Sequence, residues 1–241
     1  MLRGERQPGR ALSRDEETRL LEAIRKCGSP TLESLFIVSI DSGLRASEIR
    51  NLRRGDVTLT PAGDTFEGEI VVNRAKTEAG TGRLVPLTRR AAVALSGWLA
   101  SLPQAGPDAY LFPRHSVGFG KDGKGKRIAN IDFERPMRGW KSAWSRARDL
   151  AEVEARWHDL RHTLVSRLAE NPTISEETIR ALAGHVSRQM LSRYAHIRAQ
   201  AKRAAIASLE SPIEGVKVTE SGSDSPQNPP QSATQAKPLL N

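Results

Sequence analysis

Cysteine and long hydrophobic runs are scarce in this 241-residue sequence. A single cysteine, Cys27, excludes an internal disulfide and a multi-cysteine zinc cluster. No apolar run approaches the roughly 18 residues that a membrane helix needs, and residues 1–10 have no apolar stretch like that of a secretory signal. We therefore expect a cytoplasmic protein with no membrane segment, in which Cys27 is a packing residue.

Acidic residues are too few to balance the basic ones. The 37 lysines and arginines exceed the 28 aspartates and glutamates, which gives a net charge of +9. A surplus of this kind favours a polyanionic partner, although net charge says little about the fold. The surplus lies in the body of the chain, because the segment 211–241 has more carboxylates than cations.

The composition predicts one globular domain with two dispensable ends. Apolar residues make up 38% of the chain and charged residues 27%, as in ordinary globular proteins. Segment 211–241 is rich in Ser, Pro and Gln and has few large apolar groups, which predicts disorder. We expect a basic arm over 1–11, a domain over 12–210 and a disordered tail over 211–241. Within the domain, the glycine-rich and lysine-rich segment 120–127 predicts a mobile loop.

Helical spacing dominates the apolar pattern of the domain. The predicted helices begin after Ser13, where a capping box with Glu16 is expected, and continue at 32–42, 47–52, 88–102, 137–151, 160–170, 175–183, 187–194 and 196–209. A Thr173/Glu176 capping box is predicted before the helix at 175. The apolar stripe of 137–151 includes Trp140 and Trp144 as core residues.

One region changes to the period of a β-strand. Segments 67–73 and 83–87 are short and β-branched, and a stretch rich in Gly and Thr separates them, which predicts an antiparallel hairpin with Lys76 at its mouth. The predicted fold is therefore mainly α (α+β) with a small antiparallel sheet.

Four segments concentrate residues that a core does not need: 42–52, 73–77, 157–163 and 184–197. Taken separately they are weak signals, but together they supply what a metal-free phosphoryl transfer requires. Arginines can hold the charged non-bridging oxygens in bidentate bonds, and a lysine can protonate the leaving oxygen. The nucleophile would be a hydroxyl. Of the two tyrosines, Tyr110 lies in an apolar run and is expected to pack, whereas Tyr194 lies in a polar stretch.

A metal site is the less favoured interpretation of the same histidines. His158 and His162 have the i, i+4 spacing of a zinc-binding helix, and His115, His185 or His196 could supply a third ligand. However, Asp159 stands where the zinc pattern has glutamate, and Arg161 would place a fixed cation beside the metal. We expect no metal or other cofactor, and a packing or hydrogen-bonding role for His162.

The motifs SGLRASE, RLVPL, HDLRHT and a Gly-His pair followed nine residues later by tyrosine resemble the catalytic domain of tyrosine recombinases, the phage-type integrase family. The resemblance extends from about residue 12 to 209. It places the six catalytic positions at Arg45, Lys76, His158, Arg161, His185 and Tyr194. Glu48 occupies the acidic position after the first arginine, and Arg74 is the alternative if the long hairpin loop shifts the lysine position.

This resemblance implies a DNA breaking-rejoining fold that acts on double-stranded DNA through a covalent 3′-phosphotyrosine, without metal or nucleotide. Arg45 and Arg161 would bind the scissile phosphate, and Lys76 would protonate the leaving 5′ oxygen. His158 would assist proton transfer from Tyr194, and His185 would hydrogen-bond the phosphate. The family also implies a nucleoid-associated protein that can form a tetramer on DNA through its C-terminal helix.

The sequence departs from the family at its N-terminus. Family members usually carry a separate helical domain that closes around the DNA, whereas here about a dozen residues precede the catalytic region. We expect weak, salt-sensitive DNA binding by a mainly monomeric chain that performs little complete recombination. Two alternatives stay open: a non-catalytic or truncated DNA-binding remnant of the same fold, and a type IB topoisomerase.

Overall fold

The computed structural model describes residues 9–73, 81–119, 126–186, 191–192 and 195–208. The helices of this part follow in chain order as α1 (Arg14–Cys27), α2 (Leu32–Ser42), α3 (Ala46–Asn51), α4 (Arg89–Ala100), α5 (Lys141–Ala151), α6 (Trp157–Glu170), α7 (Glu176–Ala183) and α8 (Ala195–Ala207), with a 3₁₀ turn at Arg54–Asp56. The predicted helix at 187–194 lies largely outside the described residues.

Two small antiparallel sheets accompany the helices. One has the order β1 (Val57–Ala62), β2 (Thr65–Val72), β3 (Arg83–Pro86), and the other is the hairpin of β4 (Pro113–Phe119) and β5 (Lys126–Pro136). The β2–β3 pairing confirms the predicted hairpin, with Ile70 opposite Val85 in the core. The mainly helical fold is confirmed, but β1, β4 and β5 were missed.

The predicted loop at 120–127 is wrong at its end. Lys126 and Arg127 belong to β5, where their backbone pairs with Phe119 and Gly118. Residues 120–125 lie outside the described part of the chain. The pairing between the two strands continues back to Pro113 opposite Pro136, so the segment forms a long hairpin.

Local capping signals explain most helix ends. Ser13 and Glu16 form the predicted capping box of α1, and Gly28 and Gly43 end α1 and α2 with positive φ angles of 59° and 62°. The Thr173/Glu176 box is wrong. Ser175 caps α7 instead, with its hydroxyl accepting from the backbone N–H of Thr178.

The helix α5 begins later than the apolar stripe predicts. Its N-cap is Trp140, whose φ of −125° and ψ of 12° are not helical, so Met137 precedes the helix. Trp144 is buried as predicted, but Trp140 is only half-buried. The stripe identified Met137, Trp144, Ala147 and Ala151 correctly as buried, but it gave the wrong first turn, because helix ends are less well specified by apolar spacing than helix interiors.

The main core surrounds α2, which is buried over most of its surface. Phe36, Leu35 and Ile40 of α2 are at most 1% exposed, and α1, α4, α5 and α6 pack around them. Burial of one such side chain contributes about 1.5–3 kcal/mol relative to exposure. A smaller cluster joins α6 and α7 through Val165 and Ile179. Cys27 is buried in the main core, as predicted for a packing residue.

The end of the N-terminal arm is bound to α1, and the residue that follows it is bound to α6. The backbone N–H of Leu12 donates to the Thr163 hydroxyl at 2.9 Å, and Arg10 binds the Glu16 carboxylate at 2.8 Å. No helix among the described residues has the length and apolarity needed to cross a membrane.

Candidate functional site

Arg45 reaches the site from the link between α2 and α3. Gly43 ends α2, and Arg45 is the N-cap of α3 in an extended conformation. Its backbone N–H donates to Glu48 Oε2 at 2.8 Å, while its guanidinium donates to Glu48 Oε1 at 2.7 Å and to the backbone carbonyl of His185 at 3.2 Å. Local capping and a long-range contact therefore both fix this arginine.

Arg161 lies on α6 and is 4% exposed. Its guanidinium donates to the backbone carbonyls of Gly43 at 2.8 Å, of His185 at 2.9 Å, and of Ala183. Burial, and then the charge of Arg45, lower the pKa of Arg161 to about 10. The guanidinium therefore stays protonated at neutral pH but holds its charge in unfavourable surroundings.

Both guanidinium groups donate to the same oxygen atom, the carbonyl of His185. Two like charges on one acceptor repel, and an anion placed beside them would relieve that repulsion. Neutral carbonyls supply all of the hydrogen bonds given above for Arg161. The arrangement is chemically suited to bind a phosphate, whose oxygens accept from guanidinium forks.

Glu48 neutralises part of the positive charge of the site. It is 1% exposed and accepts from Arg83 in a bidentate pair, with Nη2 at 2.7 Å and Nη1 at 3.2 Å, as well as from Arg45. Burial acts to raise the pKa of Glu48, but the hydrogen bonds and charges of the two arginines outweigh it and hold the pKa below its ordinary value. The carboxylate is thus a charged brace between α3 and β3.

Arg83 is a site residue that the sequence analysis missed. It opens β3, is 7% exposed in its side chain, and donates from Nε to the carbonyl of Leu182 at 3.3 Å. Its contacts link the hairpin to α7 and, through Glu48, to Arg45. The only sequence signal was its position as the first residue of RLVPL, which does not separate it from an ordinary strand-end cation.

His185 follows a turn that requires glycine. Gly184 ends α7 with φ of 74°, and a Cβ atom there would lie 3.3 Å from Arg83 Nη1 and 3.7 Å from Arg45 Nη1. The turn leaves the side chain of His185 exposed while its carbonyl faces the two arginines. The catalytic role predicted for the His185 side chain stays a prediction, and the sequence did not indicate the role of its backbone carbonyl.

His158 and His162 stack edge to face on α6, with ring centroids 5.0 Å apart. His158 is exposed, yet its partly covered ring and the nearby Arg161 charge lower its pKa below the ordinary value. His162 is half-buried, and a Cβ atom on Gly9 would fall 2.0 Å from its Nε2. Burial, followed by the His158 charge, lowers the pKa of His162 to about 4.

Two predicted catalytic residues, Lys76 and Tyr194, lie outside the described residues, as does Arg74. Tyr110 is half-buried, and its ring packs under the Arg53 guanidinium at 3.6 Å. In the described part of the chain, no three His, Cys, Asp or Glu side chains are grouped as metal ligands would be. The structure thus brings Arg45, Arg161 and the His185 backbone together, with His158 one turn before His162 on α6.

Comparison with models of known protein families shows to which family the chain belongs. The model of the phage integrase family matches residues 10–201. The chain belongs to the phage integrase family. It is 29% identical over 191 residues to the shufflon-specific DNA recombinase of Escherichia coli, covering 79% of this chain and 41% of that protein. It is 28% identical over 157 residues to the tyrosine recombinase XerC of Haemophilus ducreyi, covering 65% of this chain and 44% of that protein.

The solved structures agree on the fold. The chain resembles the XerA recombinase with a TM-score of 0.51 and 21% identity, covering 87% of this chain and 68% of that one. It resembles the Tn1549 transposon integrase in complex with transposon right end DNA with a TM-score of 0.54 and 20% identity, covering 86% and 68%. This chain spans less than half the length of these two curated relatives.

Proposed function

We propose that this chain is the catalytic domain of a site-specific DNA recombinase that breaks and rejoins strands through a 3′-phosphotyrosine on Tyr194. The observation that carries the proposal is the convergence of Arg45 and Arg161 on one backbone oxygen, in a member of the phage integrase family. A phosphodiester bound beside them would receive two fixed positive charges.

We propose the following chemical steps. The Tyr194 oxygen attacks the phosphorus, the bond to the 5′ oxygen breaks, and Lys76 protonates that oxygen as it leaves. His158, whose lowered pKa keeps its imidazole neutral at pH 7, accepts the tyrosine proton, and His185 donates to a phosphate oxygen. The arginines stabilise the charge that develops on the non-bridging oxygens, and no metal or nucleotide takes part.

Duplex DNA is the proposed partner. The net charge of +9 and the DNA complexes of the Tn1549 integrase and of XerH, the latter with its difH substrate, support it. We also propose that chains assemble on DNA through α8, whose described side chains are exposed, including Ile206 at 63%.

The first prediction tests the nucleophile. Nicked duplexes that carry candidate sites trap a covalent intermediate, because the short strand beyond the cut diffuses away. The wild-type chain is expected to form a protease-sensitive protein–DNA adduct in the presence of excess EDTA. Tyr194→Phe is expected to bind the duplex equally and to form no adduct, because phenylalanine lacks the attacking oxygen. Gel electrophoresis under denaturing conditions measures both.

The controls separate the alternatives. An adduct formed by Tyr194→Phe would overturn the assignment of the nucleophile, and Tyr110→Phe is the matched variant that should keep activity. Duplex binding without any adduct in the wild type would favour the non-catalytic remnant. Adduct formation that needs a divalent ion would favour metal chemistry at His158 and His162.

A further inference from the structure

The backbone of the N-terminal arm lies directly over the ring of His162 on α6. A Cβ atom on Gly9 would fall 2.0 Å from His162 Nε2, 2.3 Å from Cδ2 and 2.4 Å from Cε1. Cβ atoms in proteins do not approach other atoms this closely, so only glycine allows the backbone to lie against the ring in this way. The contact between Gly9 and His162 therefore depends on the absence of a side chain at position 9.

Two hydrogen bonds fix the chain that follows Gly9. Arg10 donates from Nε to the carbonyl of Glu154 at 3.1 Å. The backbone N–H of Leu12 donates to the hydroxyl of Thr163 on α6 at 2.9 Å. Because the second bond ends on α6 itself, the arm and the ring that it covers are tied to the same helix.

His162 in turn contacts His158, the residue that accepts the tyrosine proton in the proposed mechanism. The two rings lie one helical turn apart on α6 and meet edge to face, with centroids 5.0 Å apart and planes at 87°. Among the described residues, no hydrogen bond holds the exposed ring of His158. Within that part of the chain, the contact with His162 is therefore what restrains the orientation of the His158 ring.

The orientation of His158 matters for its proposed role as a base. A base accepts a proton when its nitrogen lies about 2.6–3.2 Å from the donor atom, so a freely rotating ring is effective for only part of the time. We propose that His162 is a positioning residue, which holds the ring of His158 in the orientation that accepts the Tyr194 proton. Gly9 holds His162 in its turn. The inference rests on the proposed function, because it concerns the same proton transfer.

The lowered pKa of His162 suits this role. Burial, and then the His158 charge, lower the pKa of His162 to about 4, so its ring is neutral at pH 7. When His158 accepts the tyrosine proton, its neighbour on α6 therefore carries no charge. Repulsion between two imidazolium rings, which would oppose the proton transfer, is avoided.

The first experiment replaces the ring of His162 in the full chain. His162→Ala removes the ring, whereas His162→Phe keeps an aromatic ring that cannot titrate. Single-turnover cleavage at saturating nicked duplex is expected to be about tenfold slower in His162→Ala and within about threefold of wild type in His162→Phe. Fluorescence anisotropy is expected to show equal duplex affinity in all three chains, and urea denaturation checks their folding. A wild-type rate in His162→Ala, or an equal loss in both variants, would overturn the inference.

A double-variant cycle separates positioning from a general loss of structure. If His162 acts through His158, the change His162→Ala is expected to have no further effect in a chain that already carries His158→Ala. An equal slowing of cleavage in the wild type and in the His158→Ala chain would show a structural defect and overturn the inference. Absence of any covalent adduct with the wild type would overturn the proposed function together with it.

The contact with the arm is tested by two glycine variants. Gly9→Ala places a methyl group where the His162 ring lies, so the arm or the ring must move, and cleavage is expected to slow as much as in His162→Ala. Gly106→Ala is the matched control with an expected wild-type rate, because nothing lies within 4 Å of the added atom there. Equal rates in the two glycine variants would overturn the role given to the arm.

Discussion

The arginines in the two halves of α6 have different kinds of hydrogen-bond acceptor. Near its C-terminus, Arg167 donates to Glu17 at 2.5 Å, and Arg90 and Arg14 bind the same carboxylate. Asp41 adds a second carboxylate to Arg90. Near the N-terminus of α6, Arg161 donates to backbone carbonyls, and Glu48 pairs with both Arg45 and Arg83.

The difference shows what each cluster is suited to do. The Glu17 cluster is satisfied internally and ties α1 to α4 and α6, which is a structural role. The Glu48 cluster keeps an excess of positive charge in a partly buried position, which costs stability in the free protein unless an anion binds. This cost is visible in the lowered pKa of Arg161. The balance between arginines and carboxylates thus distinguishes the Glu48 cluster, which is suited to bind an anion, from the Glu17 cluster, which holds helices together.

The largest expected effect comes from a test of this comparison, in which arginine is replaced by lysine at each end of α6. Arg161→Lys is expected to reduce adduct formation by about 10²–10³-fold, because an ammonium group cannot reproduce the planar fork between phosphate and carbonyls. Arg167→Lys is expected to stay near the wild-type rate, because lysine keeps an ion pair with Glu17. Single-turnover cleavage of nicked duplexes measures both. Equal rates in the two variants would remove Arg161 from the phosphate site.

A smaller effect is expected from the turn beside the Glu48 cluster. Gly184→Ala adds a methyl group at a φ of 74° and only 3.3 Å from Arg83 Nη1, so it should strain the turn and displace the Arg83 guanidinium. We expect about a tenfold lower cleavage rate and a loss of about 1–2 kcal/mol in the free energy of unfolding. Gly97→Ala on α4 is the matched control, since nothing lies within 4 Å of the added atom there. Urea denaturation and single-turnover rates test both; unchanged cleavage by Gly184→Ala would contradict the role of the turn.

Features were predictable from the sequence when their signal acts on neighbouring residues, and they were missed when the signal depends on residues far apart in the chain. The ends of α1 and α2 were predictable because Ser13, Gly28 and Gly43 act on the chain next to them. Of the six predicted catalytic residues, Arg45 and Arg161 meet through a carbonyl of His185 that no side-chain pattern reports. Arg83 was missed for a related reason, since its importance comes from a pairing with Glu48 across 35 positions of sequence.

The β4–β5 hairpin and the tryptophan cluster around Trp144 show a second limit. The strands of this hairpin have few strongly apolar residues, so their alternation was weak, and the glycines near the tip predicted a loop. The tryptophans of 137–151 were assigned to the core, which is correct for Trp144. Trp140 and Trp157 are half-buried and meet with their ring centroids 4.8 Å apart, a contact between distant residues that helical spacing does not report.

The smallest expected effect concerns pH and the N-terminal half of α6. The pKa of His162 is about 4 in the folded chain, below its ordinary value of 6.5, because burial disfavours the charged ring and His158 adds to that effect. As pH falls below 6.5, the unfolded chain binds a proton at this position before the folded chain does. The contribution of His162 to stability is therefore undiminished above pH 6.5, declines between pH 6.5 and about 4, and changes no further below that.

The charged groups around His162 allow this effect to be isolated. Asp159 favours the protonated ring, whereas Arg156 and Arg161 oppose it, and all three remain in the variant His162→Asn. We expect the stability of the wild type to fall more steeply than that of His162→Asn between pH 6.5 and 4, since asparagine has no proton to gain there. Urea midpoints at several pH values measure the two curves, and carboxylates common to both chains cancel in their difference. Parallel curves would show that His162 titrates normally, and that the Gly9 contact does not exclude water from its ring.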